Sequence, residues 1–536
     1  MLMNDKFLLY NAKIITMANE EIDKQKKYNA ILIENGKIKK VGKYEEIIKK
    51  EKDFQYIDLN GKTIMPGFID SHSHITALAQ TLGIVSLKGC KNFEDIEQRI
   101  KKYIEEKNPQ KGEWIVAHGY DHNFLEEEKH PTKRELDKIT LDYPVIIVHT
   151  SGHMGVVNTL GLNKLKIDKT SKDPEGGTIG RIEGTKEPNG YLEENAFIQN
   201  SKKTMHLSIE EKINLLKKAQ DVYMKNGITT AQDGITKQEE FELLKEASKR
   251  KKLKIDVISY VDIKDYSNIL EDNKDYVEKY RNRYKIGGYK LFLDGSPQAK
   301  TAWLSKPYES EKEYKGYGIY KDEEVPKYVR KSLEEEKQLI THCNGDQAAE
   351  QLITAFEKEA CGKTIKTRPV MIHAQTVRYD QIDRMKKLKM IPSYFITHIY
   401  YWGDIHIKNL GDRAYRISPA NYTKLKNMKF TFHQDTPVLS PNMLELVWTA
   451  VNRKTKEGIT LGEEEKIDVY EAFKAITIYG AYQYFEDDRK GTIEEGKLAD
   501  LVVLDKSPLE VDKQHINNIK VEATIKEGKI IYKLKS

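Results

Sequence analysis

Cysteine is scarce in this chain: Cys90, Cys343 and Cys361 are the three in 536 residues. No spacing among them matches a zinc knuckle or a disulfide framework, and their scarcity suits a reducing compartment. Long apolar runs are missing as well. No stretch reaches the roughly 18 residues that a membrane span needs. Met1-Leu2-Met3-Asn4-Asp5-Lys6 lacks the charged region, apolar run and small-residue cleavage site of a signal peptide, so a cytoplasmic protein with no membrane partner is expected. Charge of one sign is not in excess, with 89 Lys and Arg against 83 Asp and Glu and a formal net charge of +6. Acidic residues lie within or close to most lysine clusters, including Lys49-Lys50-Glu51-Lys52. That pattern reads as a solvated surface, not a nucleic-acid groove. No G-x-G-x-x-G or Walker-type loop appears, which removes the main signals for a nucleotide-binding sheet.

What remains is a globular composition, 39% hydrophobic and 32% charged, long enough for one large domain with an attachment or for two to three ordinary ones. Both ends read as β. Phe7–Tyr10 and Ala30–Ile33 are strand candidates, and Asn35-Gly36 supplies a type I′ hairpin turn into Ile38–Val41. The far end repeats this with Leu501–Leu504, Ala523–Ile525, a turn at Glu527-Gly528, and Ile530–Tyr532. Between the ends, strand patterns (114–117, 145–148, 254–258, 289–293, 339–342, 370–373, 430–432) alternate with helical ones (209–226, 325–337, 347–360, 469–479). Such alternation predicts parallel strands with helical crossovers, in a closed barrel or an open sheet. Two β-rich ends around an α/β centre can form one small sheet domain together.

The chemistry-bearing residues recur at strand ends. In Met65-Pro66-Gly67-Phe68-Ile69-Asp70-Ser71-His72-Ser73-His74, an H-x-H pair on an extended segment points both imidazoles to one side, where they can grip one ion. His342 ends the pattern Leu339-Ile340-Thr341, His373 ends Val370-Met371-Ile372, and Asp435 follows Phe430-Thr431-Phe432. A single strand-end histidine is an ordinary polar residue at a loop start. The recurrence matches a (β/α)8 barrel, where chemistry collects at the C-terminal ends of the strands.

The segment Pro66–His74 resembles the first-strand signature of the amidohydrolase superfamily, and Gly491–Asp505 resembles that superfamily's return to its β-sandwich. Tyr289–Ser296, Thr341–Asp346, Ile372–Gln375, Gly119–Asp121, Pro131–Asp137 and Ser151–Gly155 are similar to its family 3, the YtcJ-like branch. The resemblance implies an α/β fold: a TIM-like (β/α)8 barrel at about 67–485, with an insertion at about 82–206. A composite β-sandwich from residues 1–66 and 486–536 would accompany it. It implies metal-dependent hydrolysis of a small molecule at a carbon–nitrogen bond other than a peptide bond, amides and N-substituted formamides being among the substrates. Two divalent ions per chain, zinc first, would be held by His72 and His74, by His342 and His373, by Lys290 as a bridging carbamate, and by the last-strand Asp435. Zinc lowers the pKa of bound water to about 7. Asp435 could move the proton from water to the leaving nitrogen, and His153 is a candidate donor to the oxyanion. Asp294, Asn344 and Gln375, in the same matching segments, are candidates to contact substrate.

Alternatives stay open on the residues alone. If Lys290 remains a plain amine, the site holds one ion, His373 contacts substrate, and the reaction becomes deamination of a cyclic amidine or nucleobase-like compound. His153 can instead cap a loop, Asp294 can start a turn or orient a metal ligand, and Tyr400-Tyr401-Trp402 can be core or pocket wall. His118, His122, His398 and His406 have no assigned role, surface or structural positions being the expectation for most. Departures from the branch at His433-Gln434 and Cys343-Asn344 bear on substrate identity. A non-catalytic scaffold is the third reading, but such a protein should have lost ligands, and every matching position here is filled. A homodimer is a candidate assembly.

Overall fold

Asn35 and Gly36 both take positive φ, 52° and 76°, as a type I′ turn requires, and close a hairpin between Ala30–Glu34 and Lys37–Gly42. Glu527 and Gly528, at 46° and 75°, do the same between Val521–Lys526 and Lys529–Lys533. The structure, a computed structural model, describes residues 6–18, 27–201, 203–204, 207–309 and 311–535. The expected leader-free start at residues 1–5 and the insertion's end at His206 lie outside the described residues. Residues 1–76 with 217–536 form one compact unit, and 77–216 form a second.

In the first unit the two ends of the chain share a sheet. Its order is Lys13–Ile14, Thr63–Pro66, Leu501–Leu504, Val521–Lys526 and Lys529–Lys533, with Met65 paired to Val502. A four-stranded sheet (6–10, 30–34, 37–42 and 55–58) contributes Leu9, Ile31 and Ile33 to the same apolar core as Ile64, Leu501, Val503 and Ile525.

The centre of this unit is one sheet of eight parallel strands in chain order. They are β1 (Phe68–Ile69), β2 (Ile228–Thr236), β3 (Asp256–Asp262), β4 (Tyr284–Phe292), β5 (Gln338–Cys343), β6 (Val370–His373), β7 (Ile391–Tyr394) and β8 (Thr431–Phe432). Helices such as Gln238–Lys249, Asp346–Ala360 and Tyr379–Lys387 connect them. Sequence patterning missed two of these strands. In β2 the run Thr229-Thr230-Ala231-Gln232-Asp233 is polar yet wholly buried, so neither an apolar run nor alternation shows. In β7 Pro392 sits inside the strand, which ordinarily argues against one. The helix expected over 469–479 is two, Val469–Ala475 and Ile478–Gln483, broken where the Ile476 carbonyl accepts the Ile69 N–H at 2.9 Å.

The second unit is a six-stranded sheet in the order Gly177–Arg181, Pro188–Glu194, Met154–Val157, Val145–His149, Ile115–Tyr120, Val85–Ser86. Two apolar clusters hold it, one around Ile100, Ile115, Leu136 and Ile147, the other around Ile146, Leu162, Leu192 and Phe197. Among the described residues, no helix is long and apolar enough to cross a membrane.

Candidate metal centre

The strand ends of the eight-stranded sheet deliver the polar residues of the site. β1 stops at Ile69, so His72 and His74 lie beyond the strand in an irregular segment, not on its pleat as the H-x-H spacing suggests. Tertiary bonds hold that segment: the His74 N–H donates to the Thr436 carbonyl (2.7 Å), and Thr76 Oγ1 donates to the buried Asp233 carboxylate (2.6 Å). The two rings still converge, with centroids 5.1 Å apart. His373 ends β6, His342 is the penultimate residue of β5, Lys290 lies inside β4, and Asp435 follows β8. His373 and Asp435 both have positive φ, 72° and 54°. Holding non-glycine residues there costs about 1–3 kcal/mol each, a strain that clusters at functional sites.

Contacts to neighbouring groups aim the rings of His72, His342 and His373. Gln232 Nε2 donates to the Ser71 carbonyl (2.9 Å), which turns its Oε1 toward His72 Nδ1 at 2.6 Å. His72 Nδ1 therefore carries the proton and Nε2 presents its lone pair inward. Gly234 gives the ring its place, since a Cβ there would lie 2.5 Å from His72 Cε1. His342 Nε2 lies 3.2 Å from the Gly295 carbonyl and 3.1 Å from Asn344 Nδ2, and its Nδ1 lies 3.0 Å from His373 Nε2. His373 Nδ1 in turn meets His433 Nε2 at 3.1 Å, and His433 Nδ1 meets Ser393 Oγ at 2.9 Å. Such outward bonds are what orient histidines as metal ligands.

Burial keeps these rings neutral. It holds His72 and His373 well below the ordinary imidazole range and brings His342 to about 4 and His433 to about 3. Asp435 goes the other way: burial opposes its charge, but the His74 side chain and neighbouring imidazoles hold the carboxyl well below its usual range. Its Oδ1 is 3.2 Å from His74 Nε2 and 3.5 Å from His72 Nε2, buried, and without a well-formed hydrogen bond. The ligand atoms of His72, His74 and Asp435 all lie within 4.8 Å of one another. Lys290 is fully buried, with Nζ 3.4 Å from His72 Nε2 and 4.7 Å from the Phe292 ring centre. Burial lowers its ammonium to about 7, and among the described residues it has no ion pair. Neutral imidazoles with inward lone pairs, an ionised carboxylate lacking a donor, and an amine free to be neutral are a donor set that fits divalent cations.

The remaining expected residues fall in different places. Asp294 is spent on backbone: its carboxylate accepts the N–H groups of Trp303 (3.0 Å), Asn344 (2.9 Å) and Gly345 (2.7 Å), while burial pushes its pKa up to about 7. This clamp fixes the loop after β5, next to His342, whose Nε2 is 3.7 Å from Asp294 Oδ1. Asn344 Nδ2 donates to the Gly295 carbonyl at 2.7 Å and leaves Oδ1 buried without a hydrogen-bond partner among the described residues. Gln375 donates from Nε2 to Ser418 Oγ at 2.9 Å, and its Oε1 is likewise unsatisfied. Tyr400, Tyr401 and Trp402 are half-buried on the helix His398–Leu410, Trp402 packing on His398 and Tyr401 bonding Glu445 (3.0 Å). His153 belongs to the 77–216 unit, exposed, with Nδ1 3.1 Å from Glu194 Oε2. Sequence reasoning singled out neither Gln232 nor the ligand-orienting place of His433. For His433 the visible signal was a histidine two positions before Asp435 where a small residue is usual; for Gln232 the missed strand hid it.

Known proteins share this arrangement of chain. The amidohydrolase family profile matches residues 55–532. YtcJ of Bacillus subtilis (strain 168) is 26% identical over 94% of this chain and 96% of its own. The N-substituted formamide deformylase of Arthrobacter pascens is 24% identical over 94% of each. A crystal structure of a metal-dependent hydrolase from Pyrococcus horikoshii OT3 superposes with a TM-score of 0.75 at 26% identity, covering 95% of this chain and 99% of that one. The chain belongs to the amidohydrolase family.

Proposed function

We propose that the protein hydrolyses a carbon–nitrogen bond of a small non-peptide amide, with N-substituted formamides the first class to test. The observation that carries this reading is the joint presence of buried neutral imidazoles, an ionised Asp435 and a buried Lys290 that has no ion pair among the described residues. In it the eight parallel strands are a (β/α)8 barrel, and the sheets of the two termini are a composite β-sandwich beside it. His72, His74 and Asp435 would hold one divalent ion, zinc first, and His342 and His373 a second. Lys290 would bridge them once its neutral amine has taken up carbon dioxide, which needs the lowered pKa that burial supplies. A divalent ion bound there supplies Lewis acidity, polarising the carbonyl and acidifying water.

The chain's own groups do the rest. The Asp435 carboxylate, ionised and short of donors, takes the proton of the attacking water and delivers it to the leaving nitrogen. Asp294 positions His342 through the loop it clamps. The unsatisfied Asn344 Oδ1 and Gln375 Oε1 are acceptors for an N–H of the substrate. The Arthrobacter pascens relative, by its name, acts on N-substituted formamides, which supports the same bond class here.

The test is a panel of N-substituted formamides, simple amides and cyclic amidines offered to zinc- or manganese-loaded enzyme, with Asp435→Asn as control. Turnover of a formamide or amide that the control lacks supports the reading. Turnover confined to cyclic amidines, by a protein holding one ion in this site, would replace it with deamination.

A further inference from the structure

The second unit gathers imidazoles of its own. Ile115–Tyr120 and Val145–His149 are adjacent parallel strands, and a register shift between Val148 and His149 sets His149 opposite Tyr120. Asp121 and His122 follow directly on the first strand, so both strands release polar side chains at the same C-terminal edge. His149 is buried, and Asp121 and His122 are half-buried. His122 Nδ1 is 3.3 Å from His149 Nε2 and 3.9 Å from Asp121 Oδ1, and His149 Nε2 is 3.4 Å from Asp121 Oδ1. Ligand atoms about 2.1 Å from a tetrahedral ion stand about 3.4 Å from one another. The triangle thus has nearly the edges of one tetrahedral face.

A purely hydrogen-bonded trio accounts for these contacts less well. The Ser151 backbone N–H donates to His149 Nδ1 at 3.1 Å, so a neutral His149 keeps its single proton on Nε2. That one proton faces two acceptors, His122 Nδ1 and Asp121 Oδ1. Asp121 Oδ1 already accepts from the Asn123 N–H and Nδ2, each at 3.0 Å. Neighbours fix the rest of the cluster. His130 stacks on His122 with centroids 3.9 Å apart, and its Nδ1 is 3.0 Å from the buried Tyr120 hydroxyl.

We propose that Asp121, His122 and His149 of the 77–216 unit form a metal site of their own, for a divalent ion of the zinc, cobalt and nickel class. Its ligands are Asp121 Oδ1, His122 Nδ1 and His149 Nε2, with the fourth position open to water or a small ligand. Two imidazoles and one carboxylate suit these borderline ions and disfavour calcium or magnesium. Binding moves the His149 proton from Nε2 to Nδ1, where Ser151 Oγ, 2.9 Å away, accepts it, and the Ser151 N–H contact lengthens. No net proton is released by this ring.

Cobalt(II) reports the site through the visible absorption of its tetrahedral complexes, with no need of turnover. The full-length protein carrying His72→Ala and His342→Ala, which disarm the barrel centre, should still take up one cobalt per chain with tetrahedral bands. Adding His122→Gln and His149→Gln should abolish that uptake. If the barrel variant does not fold, His122→Gln/His149→Gln in the otherwise native chain should lower zinc per chain by one relative to wild type. Uptake unchanged by the two glutamine substitutions, or no cobalt bound by a folded barrel variant, would overturn the site. Neither result bears on the barrel centre itself.

Discussion

Strand β4 carries two buried lysines that meet opposite fates. Lys285, near the start of the strand, donates to Glu486 at 2.6 Å and to the Tyr484 carbonyl at 3.2 Å. Lys290, near the end, has a ring face and an imidazole nitrogen but, among the described residues, no ion pair. The contrast extends over the two ends of the sheet. Around Lys285, Asp256 is shared by Lys490 and Lys526 at 2.6 Å each and by Arg283 at 3.3 Å, and Asp500 takes a second contact from Lys526 at 2.6 Å. Around Lys290, imidazole nitrogens face one another at 3.0 Å, and among the described residues Asp435 Oδ1 has no well-formed hydrogen bond. A buried charge that is paired is costly to strip of one partner, whereas buried polar groups left without partners are candidates for the place where chemistry is done.

The largest effect that breaks this comparison falls on Asp435. Asp435→Asn keeps the shape and removes the proton carrier, so kcat on the best substrate should fall by about 10³-fold or more while the circular dichroism spectrum is unchanged. Substitutions along β4 separate the two lysines next. Lys285→Met leaves Glu486 with Lys490 alone (2.7 Å) and should cost about 3 kcal/mol of stability, read as a lower thermal midpoint. Lys290→Met should leave that midpoint unchanged or higher, because no ion pair is lost, and should remove bound metal. Equal midpoints for the two variants would erase the distinction.

Acid sharpens the same contrast. Glu486 is held at about 2, against 4.5 ordinarily: burial opposes its charge, but Lys490 and Lys285 outweigh that. A carboxyl depressed on folding contributes stability that is fully present above about pH 4.5 and is lost as pH falls toward 2. Its share is about 3 kcal/mol, and Glu486→Gln should flatten the stability–pH curve in that window. An unaltered acid limb in the variant would remove Glu486 from the account. The smallest expected effect is at His433, which touches His373 but offers its own Nδ1 to Ser393. His433→Asn should weaken metal binding about 10- to 100-fold without unfolding the protein. Unaltered affinity would make His433 mere packing.

Much of this was legible in the chain, for physical reasons that can be named. Asn35-Gly36 encodes its turn in two adjacent residues, and β5 and β6 carry apolar runs that lead directly into His342 and His373. β2 and β7 were hidden because polar residues on the inside of a parallel sheet leave no alternation, and because Pro392 breaks the strand grammar. Gln232 was lost with β2. The His72–His74 pair was found for a reason that does not hold in detail, since tertiary hydrogen bonds, not a strand's pleat, turn both rings inward. His122 and His149 looked unrelated because only the parallel register of two strands, with its shift at Val148, brings them together.

The central claim, that His72, His74, Lys290, His342, His373 and Asp435 hold metal, is tested most directly by ion content. The measurement is metal per chain by elemental analysis of the His122→Gln/His149→Gln protein, which removes the Asp121, His122 and His149 cluster from the count. The account predicts close to two ions per chain, lost when Lys290 is replaced by methionine. No metal on the purified protein, and none recovered after zinc or manganese is added, would contradict it.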